Sequence, residues 1–121
     1  MEEKVVHTIQ RFIKATETGD IAQLNAVLHA DYIHCHGDLM RPDQLKRVDK
    51  TTYLNRIRWH GTYDVPRKFS LLQLDIEGAL AIIKIRLVSV PNPMRLFVLV
   101  REKDQWAILG QYTHPWQYRV R

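Results

Sequence analysis

The sequence predicts an α+β domain whose helices come first and cover one face of a curved antiparallel sheet. Two patterns and one short run carry that expectation. The first part of the chain sets apolar residues at helical spacing, and the second half is a series of apolar-rich runs divided by short turn signals. Between them, Asp31-Tyr-Ile-His-Cys-His-Gly37 places Tyr32, His34 and His36 two residues apart, as one face of a strand does.

Residues 3–18 carry Val5, Val6, Ile9, Phe12 and Ile13, which stripe one face of a helix. Gly19 stands where a left-handed cap ends such a helix. Asp20, with Gln23 three residues on, caps a second helix striped by Ile21, Leu24, Val27 and Leu28. The strand over 31–36 follows, and Gly37-Asp38 breaks it. Pro42-Asp43 starts a third helix, with Leu45 and Val48 in one apolar turn and Tyr53, Leu54 and Ile57 in another. The stripe slips near Asp49, so that residue caps a kinked or restarted second piece. Residues 61–66 read as loop. Four strands then follow over 67–77, 79–90, 94–102 and 106–114, joined by Glu77-Gly78, Pro91-Asn-Pro93 and Lys103-Asp104-Gln105. Consecutive strands with short turns form an antiparallel meander.

Composition narrows the classes of function. A length of 121 residues suits one domain over 1–121, and 45% hydrophobic residues exclude disorder. No apolar run approaches the roughly 20 residues that span a bilayer, so no membrane partner is expected. The acidic start, Met1-Glu-Glu-Lys, lacks the pattern of a secretion signal. Cys35 is the single cysteine, which fits a reducing cytoplasm. The net charge of +5 is dispersed in pairs such as Lys46/Arg47, Arg56/Arg58 and Lys84/Arg86, so it reads as a solvated surface and no nucleic-acid partner is expected.

Four local motifs sit in this order of elements: His34-Cys-His-Gly37, Asp49-Lys50-Thr-Thr-Tyr53-Leu54, Asp104-Gln105-Trp106-Ala-Ile108 and Gln111-Tyr-Thr113. With them the chain resembles the nuclear transport factor 2-like superfamily, the cystatin-like cone shared by ketosteroid isomerase, scytalone dehydratase and SnoaL-type polyketide cyclases. Within it the chain is similar to the SnoaL-like branch of unassigned function. It departs from that branch by an insertion over 38–48, by Gln105 in place of the last-turn glycine, and by Gln111 standing one place early relative to Trp106. The resemblance implies a cone-shaped cavity and a homodimer formed through the open sheet face. It implies no particular reaction, because a fold hosts many.

Plain alternation along 106–114 puts Trp106, Ile108, Gly110, Tyr112 and His114 on one face, with Tyr112 and His114 toward the cavity mouth. It assigns Ala107, Leu109, Gln111 and Thr113 to the outer, dimer-prone face. Ala81, Ile83, Ile85 and Leu87 form an apolar row with Lys84 and Arg86 opposite. The expected core is Phe12, Leu24, Leu28, Ile83, Ile85 and Trp106.

His34 and His36 have the spacing of two metal ligands on a strand, and His114, His60 or Asp31 would be the third. That spacing alone falls short of a metal site, so no metal and no cofactor is expected. Acid–base chemistry suits the residues better, since imidazoles titrate near neutrality and phenols donate to a developing oxyanion. The expected catalytic set is His34, His36 and Tyr53, and the expected ligand-binding set is Tyr32, Tyr112 and His114. Cys35 points away from the histidines, which argues against a cysteine nucleophile. The expected partner is a small molecule. Two readings stay open: an acid–base enzyme of isomerase, dehydratase or cyclase type on an apolar oxygenated compound, and a non-catalytic ligand-binding or dimerisation module of the same fold. A metal-assisted enzyme is a third.

Overall fold

The computed structural model describes residues 2–37, 43–60, 68–88 and 94–113. Helices α1 (Glu2–Thr18) and α2 (Ile21–Val27) lead into strand β1 (Leu28–Gly37). Strand β2 (Leu45–Asp49) and helix α3 (Lys50–His60) follow, and then strands β3 (Phe69–Glu77), β4 (Leu80–Leu87), β5 (Met94–Glu102) and β6 (Gln105–Thr113). The strands form one six-stranded sheet in the order β2-β1-β6-β5-β4-β3. β3 to β6 are the antiparallel meander, whereas β1 joins β6 in parallel, so the sheet is mixed.

Local chemistry sets the helix ends. Gly19 adopts a φ of 70°, and Asp20 N–H donates to the Ala15 carbonyl at 3.0 Å, closing α1 with the left-handed turn expected of that glycine. Asp20 then accepts from Gln23 N–H at 3.0 Å and caps α2. At the other end of α2, Lys50 Nζ donates to the carbonyls of Asn25 at 3.1 Å and Leu28 at 2.9 Å. That ammonium satisfies exposed carbonyls at the negative end of the helix and ties α3 to α2.

The segment before α3 corrects the helix expected from Pro42-Asp43. Residues 45–49 are a strand, paired antiparallel with β1 from Gly37↔Leu45 to Ile33↔Asp49. Without β2, the edge of β1 would present unpaired backbone groups. A short edge strand satisfies them and needs only one inward apolar residue, which is Val48. The slip at Asp49 is the strand-to-helix junction: Asp49 accepts from Thr52 N–H at 2.9 Å as the cap of α3. That bond holds its carboxyl below its ordinary pKa. Pro42 and residues 61–66 lie outside the described residues.

The core lies between the helices and one face of the sheet. Val5, Ile9 and Phe12 of α1 and Leu24 of α2 meet Ile83, Ile85, Phe97, Leu99, Trp106 and Ile108 of the strands. Phe12 packs edge-on to Phe97 with ring centroids 5.5 Å apart. All six residues expected in the core, Phe12, Leu24, Leu28, Ile83, Ile85 and Trp106, are buried.

β6 breaks the alternation expected of it. Val98 pairs with Gly110, yet its neighbour Leu99 pairs with Ile108, so Leu109 is an extra residue in a β-bulge. Trp106 and Ile108 face the helices before the bulge, and Gln111 and Thr113 do so after it; all four are buried. Gln111 and Thr113 therefore leave the outer face to which simple parity assigns them.

Candidate functional site

β1 presents Tyr32, His34 and His36 to the helix side of the sheet. The imidazoles of His34 and His36 stand 5.3 Å apart, centroid to centroid. Tyr53 comes down on them from the first turn of α3, a position set by the Asp49 cap. Its ring lies 5.2 Å from Tyr32 and 5.6 Å from His34, near perpendicular to the latter, and 6.3 Å from Phe12. Edge-to-face packing of this kind gives the polar groups a rigid aromatic surround.

Beside them, β6 supplies two hydrogen-bonding partners. Gln111 Nε2 donates to the Tyr32 hydroxyl at 2.7 Å within the buried interior. Thr113 Oγ1 and His34 Nε2 share a hydrogen bond of 3.3 Å. His36 Nδ1 lies 3.2 Å from the Gly37 carbonyl, and since a carbonyl only accepts, that nitrogen carries the hydrogen. The neutral His36 ring then keeps its lone pair on Nε2.

Burial and neighbouring charge tune two of these groups. Burial pushes the Tyr32 phenol well above its ordinary range, with Tyr53 adding to the rise and the bond from Gln111 opposing it. His34 moves from 6.5 to about 4, first because burial penalises the cation and then because His36, Arg95 and Arg56 repel it. At neutral pH His34 is an uncharged imidazole, suited to accept or donate a hydrogen bond and unsuited to serve as a cationic acid.

Of the residues expected from sequence, the structure brings Tyr32, His34, His36 and Tyr53 together. Tyr112 is a correction: the bulge at Leu109 turns it to the opposite face, where it is 41% exposed and its ring lies over Gly110. A Cβ on Gly110 would come within 3.3 Å of that ring. His114 lies outside the described residues. Gln111, Thr113 and Arg95 were not expected at the site. The signal that points to the first two is Gln111-Tyr-Thr113 standing one place early after Trp106, which is the bulge written in sequence.

Among the described residues no group of three or more His, Cys, Asp or Glu is placed to hold a metal ion. Asp31 is exposed and engages His29 instead: its backbone N–H donates to His29 Nδ1 at 3.0 Å. Cys35 is buried, and its register partners are Arg47 on β2 and Tyr112 on β6. No described helix is long and apolar enough to cross a membrane.

The family model described as "Putative lumazine-binding" matches residues 1–113. No curated protein matches the chain. Among solved structures, an NTF2-like protein of unknown function from Shewanella baltica superposes with a TM-score of 0.80 at 13% identity, covering 93% of this chain and 91% of that one. Another from Silicibacter pomeroyi gives 0.79 at 8% identity, covering 92% of each. An NTF2-like protein from Cytophaga hutchinsonii gives 0.79 at 13% identity, covering 94% and 97%. At such identities the likeness shows the fold: this chain has the nuclear transport factor 2-like cone, as its sequence motifs imply.

Proposed function

The chain belongs to the family described as "Putative lumazine-binding", and from that premise we propose that it binds a flat, oxygenated small molecule on the helix-facing side of β1 and β6, under α3. The observation that carries this reading is the paired ladder of Gln111 with Tyr32 and Thr113 with His34, set against the Tyr53 ring. Binding sites join apolar walls to a few convergent polar groups, and this arrangement has both. A pteridine-dione such as lumazine would offer a planar ring to Tyr53 and carbonyl and imide edges to the histidines.

The chemistry that suits the site is acid–base work of isomerase, dehydratase or cyclase type. His36 Nε2 would take a proton, the neutral His34 would orient the substrate, and the Tyr53 hydroxyl would donate to a developing oxyanion. Non-catalytic binding is the second reading. It is favoured by the burial of the Tyr32 hydroxyl, which accepts from Gln111, and by the bond between His34 Nε2 and Thr113, both of which engage site groups within the protein. In either case the protein would work in the cytoplasm as a homodimer joined through the outer sheet face.

Titration with lumazine, followed by the imidazole signals of His34 and His36 in NMR, tests the binding site. Saturable shifts in both signals are the expected result. Unchanged imidazoles with lumazine and with a panel of related planar carbonyl compounds would sink the reading.

A further inference from the structure

Helix α1 has two working faces. One packs Val5, Ile9 and Phe12 against the sheet. On the opposite side, His7, Gln10, Arg11, Lys14, Ala15 and Thr18 recur at spacings of three and four residues and form one stripe. The chain turns at Gly19, and the 3.0 Å hydrogen bond from Asp20 N–H to the Ala15 carbonyl brings the start of α2 back beside that stripe. With Asp20 and Gln23 on the other wall, the stripe borders a cleft of about 530 Å³, a volume within the range of small-molecule sites. Its floor is Ala15, 1% exposed and too small to fill the notch between the helices.

Charge in the cleft is uneven. His7, Arg11 and Lys14 follow one another along about two turns of α1. Arg11 is half-buried, and its guanidinium donates to the Gln23 amide oxygen, a neutral partner. Among the described residues no carboxylate pairs with Arg11 or Lys14. A half-buried cation held by a neutral group favours a guest that brings negative charge. The bond to Gln23 also holds the guanidinium fork across the cleft, so less freedom is lost when an anion binds.

Asp20 limits what else the guest carries. One of its oxygens accepts from Gln23 N–H at 3.0 Å, and the exposed carboxylate repels a second anionic group but accepts from a hydroxyl. The Gln10 amide and the Thr18 hydroxyl are further partners for hydroxyl groups. The lining holds no Phe, Tyr or Trp, so no such ring is there to stack on a nucleobase.

We propose that this cleft is a second ligand site, separate from the one under α3, and that it binds a sugar phosphate. The phosphate sits on Arg11, Lys14 and His7, and the sugar hydroxyls face Asp20, Gln10 and Thr18. A phosphate offers three terminal oxygens to donors spread along a helix face, where a carboxylate offers two.

Proton NMR of the full chain at pH 7.5, with the His7 signal assigned through His7→Gln, tests the proposal with ribose 5-phosphate, ribose and inorganic phosphate. Ribose 5-phosphate should shift the His7 imidazole saturably, leave His34 and His36 unmoved, and bind about tenfold or more tighter than either fragment, less so in added salt. Arg11→Met, checked for native circular dichroism, should weaken it about tenfold or more, and Arg11→Lys should restore part of the loss. If Arg11→Met does not fold, the exposed Lys14→Met provides the same comparison. An unmoved His7 signal overturns the proposal. Ribose binding as tightly as its phosphate overturns it, and so does inorganic phosphate binding as tightly, which would mark an ion site only. Affinity unchanged in both Arg11→Met and Lys14→Met also overturns it. Shifts at His34 and His36 in place of His7 would put the sugar phosphate in the other site and overturn it too.

Discussion

Gln111 and Tyr32 meet in the interior through a 2.7 Å hydrogen bond, although 79 positions separate them in the chain. Tyr32 has no exposed surface, and Gln111 is 4% exposed. Each polar end depends on the other, because water reaches neither.

That dependence makes the bond costly to break from one side. Tyr32→Phe leaves the Gln111 amide buried without this acceptor and should cost about 1–3 kcal/mol. Gln111→Leu removes the donor and should cost a similar amount. If the bond is what couples them, the double variant is less destabilised than the sum of the two, by about 1 kcal/mol or more. Urea denaturation of the four proteins measures the cycle; strict additivity would show that the bond carries no coupling.

His34 makes stability depend on pH in a definite direction. Its folded pKa of about 4 lies below the ordinary 6.5, so between those values the unfolded chain binds more protons than the folded one. Stability from this group is therefore complete above pH 6.5 and falls as pH drops toward 4, by about 3 kcal/mol in all. Denaturation midpoints between pH 7.5 and 4 should fall for the wild type and fall less for His34→Gln. A variant that tracks the wild type across the window would remove His34 as the cause.

Trp106 lies on the helix side of the sheet, 7% exposed, under the Arg101 guanidinium at 5.8 Å from the ring centre. Trp106→Ala should cost about 3–5 kcal/mol through lost burial and a residual cavity. Its indole N–H has no hydrogen-bond partner among the described residues, so Trp106→Phe gives up no bond and should recover most of the loss. Chemical denaturation distinguishes the two variants. A midpoint unmoved by Trp106→Ala would mean that the strand faces the other way.

The outer sheet face carries Leu80 at 43% exposure, Ile82 at 36% and Tyr112 at 41%. Ile82 pairs with Val98 and Leu80 with Val100, so apolar groups adjoin across β4 and β5. We expect two copies to join through this face, since a patch of this kind is unfavourable in water. Light scattering at micromolar concentration should give a dimer, and Ile82→Lys should shift it toward monomer with the fold retained. A monomeric wild type refutes the expectation.

The sequence by itself determined where the first two helices lie, that the last strands form a meander with turns at Gly78 and at Lys103-Asp104, and that Tyr32, His34 and His36 share a face. Those features follow from spacing and caps within a few residues, and neither Gly19 nor Asp20 needs distant partners to act. Tertiary structure decided the rest. Residues 45–49 have the composition of a helix turn or a strand, and the open edge of β1 made them a strand by pairing their backbone. The extra residue at Leu109 exists only relative to the β5 ladder, so alternation along β6 alone misassigned Gln111, Tyr112 and Thr113. The neutral state of His34 arises first from burial, then from His36 on the same strand, and then from Arg95 and Arg56; of these, burial and the arginines are contributed by no local pattern. The physical reason is range: caps and periodicity act along the chain, whereas strand registry, burial and charge repulsion act through space.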